Sequence, residues 1–286
     1  MNSNIINGKQ LSNCIKNKII KRIKDLNSLG IIPYVTIFII GKNISSIIYI
    51  KNKLNYFKNV GVNFIIKSYP DYIDEFFFLN CITEINKDKN IHGLIIQLPL
   101  PIKINKNKIN KIIINKKDVD GFCVTNLGLI MINHPYFYPC TPYGIIKILE
   151  SQNIIINRSD IVIIGSSIIV GKPLSILLLS KGATVTLCNY TTKDLSVYTK
   201  IADIVIVATG CPYTINAKMI KLNSVIIDVG INRNINGKIY GDVEFNNVSK
   251  IASFTTTVPG GVGPVTISML LVNTIIAIEK MLFEKN

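Results

Sequence analysis

The first half of the chain shows apolar residues at helical spacing in some stretches and continuous apolar runs in others. In residues 8–29, Ile15, Ile19, Ile23 and Leu26 fall on one face of a helix, because residues three or four apart share a face. Similar patterns predict helices at 8–29, 44–60, 74–87 and 105–115, and buried strands at 34–40, 62–69 and 93–98. Strands that alternate with helices indicate a mainly parallel sheet, and therefore an α/β domain.

The second half repeats this alternation after a loop-rich stretch at 118–142. We predict a connecting helix at 143–152, a helix at 174–180 after a glycine-rich turn, strands at 160–164, 184–188, 204–208 and 224–229, and a last helix at 266–283. Strands and helices in this order are typical of a dinucleotide-binding domain. The last helix is expected to pack back on one of the two domains.

Length and charge narrow the function classes. A chain of 286 residues, 48% of them apolar, is compatible with two medium-sized domains. Lys and Arg number 32 against 17 Asp and Glu, which gives a net charge of +15. The lysines are scattered and no aromatic-interleaved basic stripe accompanies them, so we expect a solvated basic surface rather than a nucleic-acid partner. Such a positive field would still favour a polyanionic small substrate.

Cysteine and histidine usage predicts neither a metal site nor a disulfide framework. The six cysteines show no CxxC spacing and only two histidines are present, as expected for free thiols in a reducing cytosol. Residues 1–10 lack the apolar core of a signal peptide. The apolar stretch 265–278 is interrupted by polar residues and falls short of the roughly 20 residues that span a bilayer. We therefore expect a soluble, cytoplasmic protein with no membrane partner.

A glycine-rich turn at 165–173 directly follows a predicted strand and opens a helix. Gly165 allows a tight turn, Gly171 lets the helix pack closely on the sheet, and Pro173 suits a first helical position. Backbone amides and the helix dipole there would hold a pyrophosphate. Ser167 stands where the second glycine of G-x-G-x-x-G would be, so an ordinary strand–turn–helix also explains the pattern.

The end of the next strand bears on the cofactor. An NAD enzyme usually places an acidic residue there to bind the ribose hydroxyls. Residues 187–193 contain no acid, and the first one is Asp194. Lys172 and Lys193 are the nearby cations that could meet a 2′-phosphate, so this segment favours NADP.

A second candidate site begins with Tyr49 and Lys53, which share a helix face because they are four residues apart. In a lysine-rich chain such a pair is commonplace on an exposed helix. The pair becomes a candidate site because the chain also contains glycine- and proline-rich runs, whose ordering costs much conformational entropy. These runs lie at 93–101, 117–122, 139–142 and 259–264. Gln97 ends an apolar strand, where ligands bind in open α/β sheets, and needs a partner if it is buried.

The order and wording of these motifs resemble the methylenetetrahydrofolate dehydrogenase/methenyltetrahydrofolate cyclohydrolase family. The resemblance runs from about residue 8 to residue 278 and is carried by the runs GLIIQLPLP, KDVDGF, PCTP, GSSIIVGKP, DVGIN and PGGVGP. It implies that Lys53 is the catalytic amine, that Tyr49 packs on the folate ring system, and that Gln97 hydrogen-bonds Lys53. Asp120 would accept hydrogen bonds from the pterin, although Asp-Gly is also an ordinary turn signal.

The same resemblance implies further contacts around both ligands. The residues that it implies at the cofactor are Gly165, Ser166, Ser167 and Ile231. Lys172 and Thr191 are expected there as well, apart from the resemblance. The loop 259–264 is expected beside the folate, with Pro259, Gly260 and Gly261 as contacts. Two positions depart from the family pattern: Cys123-Val124 stand where His-Pro is frequent, and Tyr143 stands where Arg is frequent.

An α/β fold is implied, with an N-terminal catalytic domain and a Rossmann-type domain separated by a cleft. We expect the folate-binding catalytic domain at 1–139, the NADP-binding domain at 140–264, and the C-terminal helix 265–286 packed back on the former. The implied activity is oxidation of 5,10-methylenetetrahydrofolate with NADP, followed by hydrolysis to 10-formyltetrahydrofolate, in a homodimer. Two alternatives remain: a shikimate-type NADP dehydrogenase, which would not explain PGGVGP, and a basic nucleic-acid-binding module, which would bind with a steep salt dependence.

Overall fold

The computed structural model describes residues 4–41, 44–234 and 237–283. In chain order their main elements are β1 (Asn4–Ile6), α1 (Gly8–Ser28), β2 (Tyr34–Ile40), α2 (Ile44–Val60), β3 (Asn63–Tyr69), α3 (Glu75–Lys87), β4 (Gly93–Ile96), α4 (Lys106–Ile112), α5 (Val124–Met131), α6 (Cys140–Ser151), β5 (Asp160–Ile164), α7 (Gly171–Leu179), β6 (Thr184–Cys188), α8 (Ser196–Thr199), β7 (Ile204–Val207), β8 (Val225–Asp228), β9 (Asn232–Arg233), β10 (Ile239–Tyr240), α9 (Phe245–Val248), β11 (Phe254–Thr256) and α10 (Val262–Phe283). Short 3-10 helices lie at Asn115–Lys117 and Ala217–Met219.

The chain divides into two compact units, which we name by their sheets. The six-stranded unit comprises Met1–Asn13 and Thr141–Thr266, and the three-stranded unit comprises Cys14–Cys140 and Ile267–Asn286. The predicted boundaries, 1–139 and 140–264, differ from this division at the N-terminus. The reason is β1, which pairs in parallel with β11 and so joins the six-stranded sheet.

The six-stranded unit has the strand order β1-β11-β8-β7-β5-β6, with every pair parallel. All four residues of β7 and of β8 are buried, as expected for strands covered on both faces. From β5 the chain passes to β6 on one side, and the next strand, β7, lies on the other side of β5. In such sheets the ligand crevice lies outside the carboxyl ends of the strands at this reversal.

The three-stranded unit has the order β3-β2-β4, again parallel. Helix α3 packs on this sheet through Phe78, Ile82 and Ile85, and the ring of Phe78 meets that of Phe38 edge-on at 5.3 Å. Strand β4 ends at Ile96, two residues before the predicted end at 98.

Helices α5 and α10 also differ from the predictions. Helix α5 forms inside the stretch 118–142 that was expected to be loop. Helix α10 begins at Val262 and includes Pro264, since the first turn of a helix makes no amide hydrogen bonds that a proline would remove. With 22 residues α10 is long and apolar enough to cross a membrane, contrary to the sequence-based length argument. In its most apolar stretch, however, 67% of the residues are buried within the protein, as expected for a core helix.

Candidate active site

The turn after β5 depends on two glycines. Gly165 has a φ of +111°, and a Cβ atom added there would lie 2.2 Å from the carbonyl oxygen of Ala208, at the end of β7. A Cβ atom on Gly171 would lie 1.8 Å from the carbonyl oxygen of Gly165. Any larger residue at either position would therefore push the start of α7 away from the reversal between β5 and β7. The resulting cradle of backbone is the kind that accepts a dinucleotide pyrophosphate.

Ser167 shapes the amides at the start of α7. Its hydroxyl oxygen accepts from the amide of Val170 at 3.1 Å, and its carbonyl oxygen accepts from the amide of Lys172 at 3.0 Å. These two amides are therefore already paired within the turn. Lys172 is exposed, and Pro173 is buried in the first turn of α7.

The segment after β6 forms a compact turn without a carboxylate. Asn189 Oδ1 accepts both the amide of Thr191 at 2.9 Å and its hydroxyl at 2.6 Å. The hydroxyl oxygen of Thr192 accepts from the amide of Asn189 at 3.0 Å. Thr191 and Lys193 are exposed at this edge of the sheet. The turn therefore presents neutral and cationic groups where an NAD-selective enzyme usually presents an acid.

Two buried aspartates join the segments that follow β7 and β8. Asp242 Oδ2 accepts from the amides of Thr209 at 2.8 Å and Gly210 at 2.9 Å, and Asp242 Oδ1 accepts from Asn232 Nδ2 at 2.8 Å. Asp228 Oδ1 accepts from the amides of Gly230 and Asp242, both at 3.0 Å. Burial raises the pKa of Asp228 to about 6, against these hydrogen bonds.

The sequence motifs gave this aspartate pair no role: Asp228 was included only as the first residue of the DVGIN run, and Asp242, in the Gly-Asp-Val run at 241–243, was missed. The pair fixes the backbone just before Ile231. Ile231 itself is 58% exposed beside it, so its side chain is accessible to a ligand.

The loop 259–264 has glycines where side chains do not fit. Gly260 has a φ of +110°, and a Cβ atom on Gly261 would lie 2.6 Å from the carbonyl oxygen of Thr257. The carbonyl oxygen of Gly260 accepts from the amide of Lys9, at the start of α1. The predicted contacts Pro259, Gly260 and Gly261 thus lie in the six-stranded unit, after β11.

Lys53, Asp120 and Cys140 come together in the three-stranded unit. Lys53 lies in α2 and is only 5% exposed. Burial raises the pKa of the half-buried Asp120, and the positive charge of Lys53 opposes this rise. Burial also raises the pKa of the Cys140 thiol well above its usual value, with the Asp120 charge adding to the rise and the Lys53 charge opposing it. Helix α2 therefore places the buried Lys53 amine within electrostatic reach of the Asp120 carboxylate.

Gln97 does not make the predicted hydrogen bond to Lys53. Its Nε2 donates to the carbonyl oxygen of Leu98 at 2.8 Å, and its backbone amide donates to the carbonyl oxygen of Phe38 at 2.9 Å. Its Oε1 atom is buried and has no hydrogen-bond partner among the described residues. The prediction was therefore wrong in that detail. A buried acceptor without a partner is costly, and a ligand with a donor would relieve that cost.

Asp118 is an acid whose bonding capacity is used inside the protein. Its carboxylate accepts from the amides of Gly121 at 3.1 Å and Cys123 at 2.7 Å, and from Asn126 Nδ2 at 2.7 Å. Burial raises its pKa to about 6, and these hydrogen bonds oppose the rise. Asp118 thus fixes the loop that carries Asp120.

The two departures from the family pattern have local structural explanations. The Cys123 sulfur accepts from the amide of Asn126 at 3.4 Å and so caps α5, and burial raises the pKa of this thiol to about 12. The Tyr143 ring receives the Lys147 ammonium at 5.0 Å from its centre within α6. The Tyr49 side chain lies outside the described residues, so its predicted contact with the folate is still a prediction.

Comparison with known proteins covers nearly the whole chain. The catalytic domain of the family described as tetrahydrofolate dehydrogenase/cyclohydrolase matches residues 6–120, and the NAD(P)-binding domain of that family matches residues 139–282. The bifunctional protein FolD of Bordetella avium is 43% identical over 282 residues, which is 99% of each chain.

Solved structures of the same family are similar to this chain over nearly its whole length. The bifunctional FolD methylenetetrahydrofolate dehydrogenase/cyclohydrolase of Campylobacter jejuni has a TM-score of 0.95 and 41% identity, covering 98% of this chain and 99% of that one. The Trypanosoma brucei FolD, solved with NADP and an inhibitor, has a TM-score of 0.95 and 29% identity, covering 99% of each chain. A shikimate dehydrogenase from Peptoclostridium difficile, with a TM-score of 0.51 and 12% identity, shares the fold alone. This chain belongs to the tetrahydrofolate dehydrogenase/cyclohydrolase family.

Proposed function

We propose that this protein oxidises 5,10-methylenetetrahydrofolate to 5,10-methenyltetrahydrofolate with NADP and then hydrolyses the product to 10-formyltetrahydrofolate. The observation that carries the proposal is the buried Lys53 ammonium within electrostatic reach of Asp120. A lysine is rarely buried without a specific purpose, because desolvation of its charge is expensive. Family membership identifies the chemistry in which such an amine serves.

The folate is assigned to the three-stranded unit. Asp120 would accept hydrogen bonds from the pterin donors, and the unpaired Oε1 of Gln97 offers a second acceptor at the end of β4. Lys53 Nζ would hold the proton that passes between water and the folate ring nitrogen when the methenyl carbon is hydrated. Tyr49 would pack on the folate ring system.

The cofactor is assigned to the six-stranded unit, where the residues fit a dinucleotide. The glycine-dependent turn at Gly165 leaves room for close approach of a pyrophosphate, with Ser166 and Ser167 alongside. Lys172 and Thr191 would contact the 2′-phosphate of NADP, and Ile231 would contact the cofactor beside them. When it is bound, NADP accepts the hydride from the one-carbon bridge. The chain's part is to hold both reactants in alignment and to exclude water until the hydride has moved.

Domain roles and assembly follow from the same proposal. The catalytic domain then corresponds to the predicted 1–139 with 265–286, and the NADP-binding domain to 140–264, corrected for the pairing of β1. We further propose a homodimer that works in the cytoplasm without a membrane partner, as the family resemblance implies. The scattered lysines favour the lack of a nucleic-acid partner. Light scattering after size-exclusion chromatography measures the assembly, and a monomeric mass would contradict it.

Two optical assays test the activity. Addition of methylenetetrahydrofolate with NADP should produce the absorbance of NADPH, and methenyltetrahydrofolate alone should lose its own absorbance faster than in buffer. Absence of both signals with the wild-type protein would reject the proposal. Salt-steep nucleic-acid binding without NADPH formation would favour the binding-module alternative. NADPH formation with a shikimate-type acid instead of the folate would favour the shikimate-type dehydrogenase alternative.

A further inference from the structure

Asn273, in α10, makes two hydrogen bonds to backbone that lies far away in the sequence. It is 1% exposed, and its Nδ2 atom donates to the carbonyl oxygens of Val119 and Tyr138, each at 2.8 Å. The side-chain amide has two N–H donors in a fixed planar geometry. Both donors are therefore used, and they set the spacing between the two carbonyl groups.

The two carbonyls belong to loops that enclose Asp120. Val119 directly precedes Asp120, and Tyr138 directly precedes Pro139. Gly121 packs closely against Pro139, because a Cβ atom on Gly121 would lie 2.8 Å from the Pro139 backbone. The backbone carbonyl of Asp120 also accepts from the Cys140 amide at 3.3 Å. The loops 118–123 and 138–140 thus form one assembly, and Asn273 ties both of them to α10.

We propose that Asn273 is a positioning residue for folate binding, which acts by holding the Asp120 carboxylate in the orientation that meets the pterin. This inference rests on the proposed function, because it needs Asp120 to bind the folate. Asn273 itself would not touch the substrate. Its effect would pass through the backbone of Val119, one peptide unit away from Asp120.

Two substitutions at this position separate positioning from folding. Asn273→Leu keeps the approximate size and removes both donors, so the carbonyl oxygens of Val119 and Tyr138 each lose their hydrogen bond to Asn273. Asn273→Ala removes the donors but opens space in which a water molecule can bridge the two carbonyl oxygens, so it keeps the test open if the leucine variant does not fold. The matched control is Thr274→Val: Thr274 is the next residue in α10, fully buried, and its hydroxyl donates to Leu270 of its own helix at 2.9 Å.

We expect both Asn273 variants to raise the KM for methylenetetrahydrofolate about tenfold, as expected for a weakened charge-assisted hydrogen bond. The KM for NADP should change by less than about twofold, because the proposed NADP contacts lie in the other unit. Thr274→Val should leave both constants near their wild-type values. A residue with a purely structural role would instead lower the amount of active protein without this separation of the two KM values.

A double-mutant cycle with Asp120→Ala completes the test. If Asn273 acts through Asp120, Asn273→Ala should add less than about a twofold loss of folate affinity in the Asp120→Ala background. An undiminished further loss, or equal rises of both KM values in the single variant, would overturn the inference while the proposed function stands. If Asp120→Ala itself leaves folate affinity unchanged, the role given to Asp120 fails, and the inference fails with it.

Discussion

At the scale of single residues, burial and bonding separate two acids that are two positions apart in the sequence. The Asp118 carboxylate accepts hydrogen bonds from two backbone amides and from the Asn126 side chain. Asp120 is only half-buried and responds to the charge of Lys53. An acid whose lone pairs are already used holds a loop, whereas an acid beside a buried cation remains available to a ligand with donor groups.

Substitution of Lys53 tests the catalytic amine. Lys53→Met should lower the hydrolysis of methenyltetrahydrofolate by at least about a hundredfold, because the proton-transfer group is lost. The affinity for NADP should stay near wild type, since the proposed cofactor contacts lie in the other unit. Loss of the methenyl absorbance measures the rate, and cofactor titration measures the affinity.

The matched control is Lys58→Met, on the same helix but exposed. It should leave hydrolysis unchanged. If Lys53→Met hydrolyses the methenyl compound at the wild-type rate, Lys53 is not the catalytic amine.

Substitution of Asp120 tests folate recognition. Asp120→Ala should weaken folate binding by about 1.5–3 kcal/mol, the usual contribution of a charge-assisted hydrogen bond. Calorimetric titration with folate measures this change directly. An unchanged affinity would reduce Asp120 to an ordinary Asp-Gly turn residue.

At the scale of elements, long apolar runs made several boundaries predictable. Strands β2, β5 and β6 have the predicted bounds, and so does helix α2, because each is a continuous pattern of one period. The three-residue strand β1 gave no such pattern. Its pairing with β11 joins residues about 250 positions apart, and sequence periodicity carries no information on such pairing.

The site was predictable to a similar extent. Lys53, Gln97 and Asp120 lie within recognisable motifs, and Lys53 and Asp120 do lie within electrostatic reach of each other. The Gln97 partner was wrong because a side-chain amide can turn toward a neighbouring carbonyl, here that of Leu98. Asn273 was missed because its function depends on two loop carbonyls more than 130 residues away.

Substitution of Lys172, at the start of α7, tests the choice of NADP as the cofactor. Lys172 is exposed in its first turn, so Lys172→Ala should raise the KM for NADP and barely change that for NAD. The rise should shrink as salt increases, because an exposed charge pair is screened. Initial rates with each cofactor at two salt concentrations measure this.

Lys193→Ala, exposed in the turn after β6, serves as the comparison and should have the smaller effect. Equal losses for NADP and NAD in Lys172→Ala would place this lysine at the pyrophosphate or in helix packing. A wild-type preference for NAD would reject the choice of cofactor and leave the folate chemistry standing.

At the scale of the whole molecule, the buried acids make stability depend on pH. The pKa of Asp228 is raised to about 6 in the folded protein, against about 3.9 for an aspartate in an unfolded chain. The native state therefore binds more protons between these values, and its stability falls as the pH rises through about 6. Relative to Asp228→Asn, which does not titrate, the wild type should lose about 1 kcal/mol of unfolding free energy between about pH 5.5 and about pH 7.5.

Urea unfolding of both proteins at the two pH values measures this difference. Thr256→Val is the control, because the Thr256 hydroxyl accepts from the Asp228 amide and its loss removes no titrating group. The difference in unfolding free energy between Thr256→Val and the wild type should not depend on pH. A pH-independent difference for Asp228→Asn would show that Asp228 does not bind a proton in this range.

The place of α10 in the chain has a consequence for how the protein is made. Residues 14–140 leave the ribosome long before residues 267–286, which complete the same unit. Until α10 emerges, the carbonyl groups of Val119 and Tyr138 lack the Asn273 donors, and the apolar surface that α10 covers stays open to water. A nascent chain of this protein should therefore carry an unfinished three-stranded unit throughout synthesis of the other unit, and so be a substrate for chaperones and proteases during that interval.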